Sequence, residues 1–176
     1  MDPEAIGQQA GRPVSEHLDG LERTVTVRVA SPEQTLRLGR EIGALLRAGD
    51  VVLLSGELGA GKTTITKGIA DGMGITDTIT SPTFVLARVH NGPRLPLVHV
   101  DAYRLSGAME LDDLDLDTDL ARAAVVVEWG EDIAADLATD PLHLKLFRDD
   151  ADENSRRVEI RWTDPRWAVL ATQPSS

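Results

Sequence analysis

Thr24-Val25-Thr26-Val27-Arg28-Val29 alternates polar and apolar residues, the two-residue period of a strand with one buried face. Ser31-Pro32-Glu33-Gln34 then starts a helix. Ser31 takes the N-cap, Pro32 the first helical position, and an acid sits in the first turn. Leu36, Ile42, Leu45 and Leu46 supply its apolar stripe, and Gly49 is the expected stop. Val51-Val52-Leu53-Leu54-Ser55 is a short, continuously apolar run, as in a buried strand. A glycine-rich stretch follows. Ile65 and Ile69, four residues apart, then mark one helix face that closes near Gly72 or Gly74. Ile79–Val89 and Leu97–Val100 read as two strands around an Asn91-Gly92 turn. Ala108–Leu120 reads as a helix with interleaved acids, Ala123–Val127 as an apolar strand, and Ile133–Leu137 as a short helix. Leu142–Phe147 and Arg157–Trp162 alternate and read as a closing hairpin.

Central strands flanked by helices imply an α/β fold: one domain over 21–170 with a mostly parallel sheet. Residues 1–20 lack periodicity and mix Gly, Gln, Pro and Ser, so a disordered tail is expected there, and 171–176 should be loose. The length of 176 residues suits a single core. With 29 acids against 18 bases the formal net charge is −11, which repels phosphate backbones and disfavours stable nucleic-acid binding by this chain alone. The chain has no cysteine, so thiol catalysis, disulfides and Cys-ligated zinc are excluded. The first residues show no basic and apolar signal pattern, and no stretch reaches the ~20 apolar residues of a membrane span. A soluble, cytoplasmic protein is the expectation.

The glycine-rich stretch carries the strongest chemistry. Gly56-Glu57-Leu58-Gly59-Ala60-Gly61-Lys62-Thr63 is a complete P-loop, set between an apolar strand and a helix as the motif requires. Its glycines let the backbone wrap a triphosphate with N–H groups inward, and the helix N-terminus adds partial positive charge. Lys62 would reach the β- and γ-phosphates, and the Thr63 hydroxyl would ligate Mg²⁺. Lys62 is expected to face phosphate and contribute nothing to the core. A second acid should end a strand beside the P-loop strand, and Val125-Val126-Val127-Glu128 has that form. The alternative for Glu128 is an acid capping a strand edge. His99-Val100-Asp101-Ala102-Tyr103-Arg104 follows another apolar strand. Asp101 there would hold a metal-bound water or orient the attacking one. Arg104 would stabilise charge on the γ-phosphoryl group, while His99 reads as a structural hydrogen bonder and Tyr103 as a packing residue. Ser81-Pro82-Thr83-Phe84 fits either a bare Ser-Pro turn, which spacing alone favours, or a γ-phosphate switch. The acidic run Glu110–Asp119 fails as a calcium loop: position 118 is Thr where Gly is needed, and no Glu closes it. A solvated helix face, or a docking surface for a basic partner, fits it better.

Three other readings compete on the residues alone, and of these the sequence rules out guanine recognition. A small-molecule P-loop kinase would need an Arg-rich lid, yet the only Arg pair after the P-loop is Arg156-Arg157. A GTPase would need Asn-Lys-x-Asp, and neither Asn91 nor Asn154 precedes a lysine. A nucleotide-gated binding module would hydrolyse only incidentally.

Taken together, Gly56–Thr64, Ser81-Pro82-Thr83-Phe84, His-x-Asp-x-Tyr-Arg at 99–104 and Glu128-Trp129 resemble, in order and spacing, the TsaE family of tRNA threonylcarbamoyladenosine synthesis. The resemblance runs from about Ser31 to Leu137. It departs after Glu110, where the family usually carries Gly-Leu or Gly-Ile and this chain has Asp115-Leu116. The resemblance implies an ATP- and Mg²⁺-dependent P-loop ATPase, slow alone and stimulated by the partners TsaB and TsaD, with tRNA met only through them. It further implies that Thr63 and Glu128 hold Mg²⁺, that Asp101 serves hydrolysis with Lys62, and that Ser81 to Thr83 sense nucleotide. Residues Glu33 to Thr35 would approach the adenine. Gly59, Ala60, Gly61, Thr64, Arg104 and Trp129 complete the expected nucleotide contacts.

Overall fold

The computed structural model describes residues 21–82, 86–104, 120–131 and 137–172. Seven strands, β1 (Arg23–Val29), β2 (Val51–Gly56), β3 (Ala87–His90), β4 (Leu97–Asp101), β5 (Ala124–Glu128), β6 (Leu142–Arg148) and β7 (Arg156–Trp162), form one sheet. Two α-helices are described, α1 (Pro32–Leu45) and α2 (Lys62–Gly72). The spatial order is β1-β7-β6-β2-β5-β4-β3. The central strands β6, β2, β5 and β4 run parallel. Antiparallel strands close both sides, β7 and β1 on one and β3 on the other. The expected parallel centre is therefore present, and the expected hairpin is β6–β7, with Leu144 opposite Ile160 and Leu146 opposite Val158.

Burial explains the sequence patterns. The strands β4 and β5 are buried along their whole length, as are the first four residues of β2, which is why they read as unbroken apolar runs. Alternate residues serve two cores. Val52, Leu54 and Val126 join Leu38 and Ile42 of α1 and Ile65 and Ile69 of α2. Val51, Leu53, Val98, Val100, Val125 and Val127 form the other, with Leu120 and Leu137 packed against it. In β7 Val158, Ile160 and Trp162 are buried, and Arg157 and Arg161 are exposed.

Ser31 caps α1 as expected, accepting from the Gln34 amide at 3.3 Å. The helix nevertheless ends at Leu45, followed by an extended Leu46. Gly49 is not its stop. It lies in the turn into β2 at φ +86, where its N–H reaches the Ala123 carbonyl at 2.8 Å. The helices α1 and α2 approach unusually closely. A Cβ at Gly43 would stand 2.1 Å from the Ile69 carbonyl oxygen, and one at Gly68 would stand 2.3 Å from that of Leu36. Only glycines on both helices permit this contact, which seats α1 against the helix that carries the P-loop.

Among the described residues of the strand expected over Ile79–Val89, only Ala87–His90 pair with β4. Ile79 is buried as an anchor rather than as a ladder residue. The Asn91-Gly92 turn is also corrected. Residues 91–96 form a longer link in which Arg94 donates to the Gly43 carbonyl at 3.0 Å, and Pro93 and Pro96 have no N–H for a ladder. The tail 1–20, nearly all of the helices expected over Ala108–Leu120 and Ile133–Leu137, the acidic run 110–119 and residues 173–176 lie outside the described residues. Pro165–Ala171 form a 3₁₀ helix that buries Trp167 and Leu170. Among the described residues no helix is long and apolar enough to cross a membrane.

Candidate active site

The P-loop spans the gap between the end of β2 and the start of α2. Gly56, Gly59 and Gly61 take φ of +143, +77 and +105, values that strain a residue with a Cβ. No side chain caps the α2 N-terminus, so its first-turn amides, at the positive end of the helix, are left for an anion. Arg156 holds the loop from β7, with Nε donating to the Ala60 carbonyl at 3.1 Å and a terminal nitrogen to that of Gly59 at 3.3 Å. The cavity beside the loop, about 640 Å³, is lined by Leu58, Gly59, Gly61, Lys62, Thr63, Thr64, Ser81, Asp101, Tyr103, Glu128 and Trp129.

Lys62 is not the exposed side chain expected. It is 6 % exposed, and its Nζ donates to the carbonyls of Gly56 at 2.7 Å and Glu57 at 3.0 Å. The ammonium also lies 4.2 Å from the centre of the Trp129 ring, a cation–π contact. Burial pushes its pKa down, and the charges of Glu128 and Asp101 oppose that shift.

Parallel pairing of β4 with β5 sets Asp101 beside Glu128, and both are buried. The Thr63 hydroxyl approaches Glu128 Oε1 at 3.4 Å. His99 Nε2 lies 2.9 Å from the same oxygen. Asp101 Oδ1 accepts from the Tyr103 amide at 3.0 Å, which turns the chain out of β4. Trp129 has φ +62, a left-handed backbone rarely taken by a bulky residue and a form of strain found at functional sites. Its N–H is tied to the Leu54 carbonyl at 2.9 Å. Tyr103 meets the Trp129 ring edge-on, with centroids 5.7 Å apart. It is 72 % exposed at the cavity rim rather than packed in the core.

Of the residues singled out in the sequence, Gly59, Gly61, Lys62, Thr63, Thr64, Ser81, Asp101, Glu128 and Trp129 therefore converge on one cavity, and Ala60 is buried within the loop. Thr35 lines an adjoining cleft of about 40 Å³ with Pro32, Gly61, Thr64, Asn154 and Arg156. Glu33 is exposed and lines neither space. Hydrogen bonds at the α1 N-terminus, first from its own amide and then from Ser31, hold its carboxyl below the usual range. Thr83 lies outside the described residues, and only the backbone of Arg104 is described.

Sequence reasoning missed Arg156, Asn154 and the His99–Glu128 contact. For Arg156 a signal existed: it shares the strand phase of core residues Val158 and Ile160, where an arginine is out of place unless it reaches a partner.

The donor set fits a magnesium nucleotide: a hydroxyl and a carboxylate lie together beside an uncapped helix N-terminus, with a lysine alongside. The family model for threonylcarbamoyl adenosine biosynthesis protein TsaE matches residues 29–158. The tRNA threonylcarbamoyladenosine biosynthesis protein TsaE of Streptomyces coelicolor is 55 % identical over 140 residues, covering 75 % of this chain and 93 % of that one. Its namesake from Bacillus subtilis is 40 % identical over 149 residues, covering 84 % and 92 %. Among solved structures, Bacillus subtilis YdiB superposes with a TM-score of 0.68 at 31 % identity, over 85 % of this chain and 93 % of that one.

Proposed function

The chain belongs to the TsaE family, and on that premise we propose that it is a Mg²⁺-dependent ATPase required for N6-threonylcarbamoyladenosine modification of tRNA, acting with the TsaB–TsaD pair. The observation that carries the proposal is the convergence of Lys62, Thr63, Asp101 and Glu128 on one cavity at the P-loop.

In this reading the P-loop amides and the α2 N-terminus bind the phosphates. Lys62 exchanges its two carbonyl partners for phosphate oxygens. Thr63 and Glu128 hold the metal, and Asp101 orients the attacking water through its carboxylate. Held by Thr63 and Glu128, Mg²⁺ would supply positive charge to offset the negative charge of the transferring phosphoryl group. Trp129 walls the lysine off from water, which strengthens its field at the phosphates. Thr35 lines the small cleft beside Thr64, and the family resemblance is what assigns it to the base. Ser81, on the cavity wall, begins the nucleotide-sensing segment that continues into Thr83, and Arg104 follows Asp101 on the same turn.

Lys62→Ala tests the proposal. We expect loss of ATP hydrolysis by about 10²-fold or more, with the far-ultraviolet circular dichroism retained. Unchanged steady-state hydrolysis in a folded variant would remove the P-loop assignment.

A further inference from the structure

Glu128 is held on one oxygen by two groups of different character. Thr63 comes from the P-loop side at 3.4 Å and His99 from the strand side at 2.9 Å. His99 is fully buried, and its Nδ1 has no hydrogen-bonding partner among the described residues. The register explains the contact. On β4, His99 sits opposite Val126, so its side chain and that of Asp101 stand on the same sheet face as Glu128.

The two ring nitrogens are not equivalent here. With the proton on Nε2, the ring donates to a carboxylate and only a lone pair is left without a partner. With the proton on Nδ1, a buried N–H would be orphaned and a lone pair would face the anion, which is the costlier arrangement. The geometry therefore favours an Nε2–H donor directed at Glu128. We propose that His99 is a positioning residue: it fixes the Glu128 carboxylate so that its second oxygen, Oε2, is presented with the Thr63 hydroxyl to a divalent cation. Neighbouring groups that orient ligating carboxylates are a general device for raising metal affinity. This inference rests on the metal-binding reading of Glu128 above, and it adds a residue that the nucleotide need not touch.

The test uses the full chain with ADP and Mn²⁺, the bound metal being read by electron paramagnetic resonance. In His99→Leu, Mn²⁺ affinity should fall about tenfold while ADP affinity in EDTA stays within about twofold; His99→Gln, which can place an amide N–H where Nε2 lies, should recover most of the loss. Equal Mn²⁺ affinity in wild type and His99→Leu overturns the proposal. So does a parallel fall in metal-free ADP affinity, which would mark His99 as merely structural. Wild type that binds ADP yet no Mn²⁺ would remove the metal reading itself, and this inference with it. A measurement on the unaltered protein does not depend on variant folding: ¹⁵N resonances of the His99 ring should report Nε2 protonated and Nδ1 bare. The opposite tautomer refutes the inference.

Discussion

Asp101 and Glu128 sit side by side at the ends of neighbouring parallel strands, yet their surroundings differ. Glu128 faces the Thr63 hydroxyl and the His99 ring, whereas Asp101 binds the Tyr103 amide. Neither is bonded to Lys62, whose two donated bonds go to loop carbonyls. Removing either acid should therefore leave the phosphate cradle intact. Glu128→Ala and Asp101→Ala are each expected to keep nucleotide affinity within about tenfold and to lose turnover by about 10²-fold, as for an acid that places metal or water. Calorimetry with a non-hydrolysable ATP analogue, set against steady-state rates, separates the two effects. Binding lost together with hydrolysis would make these acids supports of the ground-state complex instead.

At the scale of elements, the local pattern carried far where one face or both faces of a segment were buried. Unbroken apolar β2 and β5 and the alternating β6–β7 hairpin are examples. It failed where tertiary contacts overrode it. Residues 91–96 do join the antiparallel pair β3–β4, but as a six-residue loop that Arg94 ties to α1, where the sequence suggests a tight Asn91-Gly92 turn. Ile79 looks like a strand residue but is buried in the core instead. The addition of β1 to β7 joins distant parts of the chain, which no local period specifies. For the site, motif residues were legible because backbone chemistry dictates glycine and lysine at fixed offsets. The grip of Arg156 on the loop was not, since it depends on how β7 lies beside β6. The glycines of the two helices carry a separate prediction. On an isolated helix Gly43→Ala would gain about 1 kcal/mol in propensity. Here the new methyl meets the Ile69 backbone, so the helices must part. We expect a net loss of about 2–3 kcal/mol, the cost of overpacking, read as a lowered urea midpoint at unchanged slope. A stabilised variant would contradict the close α1–α2 contact.

For the molecule as a whole, the site is built at the ends of the central strands β2, β5 and β4, but part of its rim lies open. Leu58 and Tyr103 are 87 % and 72 % exposed, and Trp129 is 36 % exposed. All three line the candidate nucleotide cavity. Phosphoryl transfer to water needs a positioned water and a dry, stabilised γ-phosphoryl group. A cavity mouth framed by exposed apolar side chains supplies neither fully until something covers it. The isolated chain is therefore expected to hydrolyse ATP slowly, at a rate that rises at least about tenfold when the TsaB–TsaD pair is added, because covering the mouth excludes water and orders the rim. Its charge points the same way. At −11 the chain repels a polyanion, so it should not bind tRNA tightly by itself at ~0.15 M salt, where the residual contacts of any basic side chains are screened. Two measurements decide this: the ATPase rate with and without the pair, and tRNA binding by the lone chain in a filter or fluorescence assay. Fast hydrolysis indifferent to the pair would make this an independent ATPase with a self-sufficient site. Tight tRNA binding by the chain alone would show that a local basic surface outweighs the net charge, and would place the nucleic acid in direct contact with this protein.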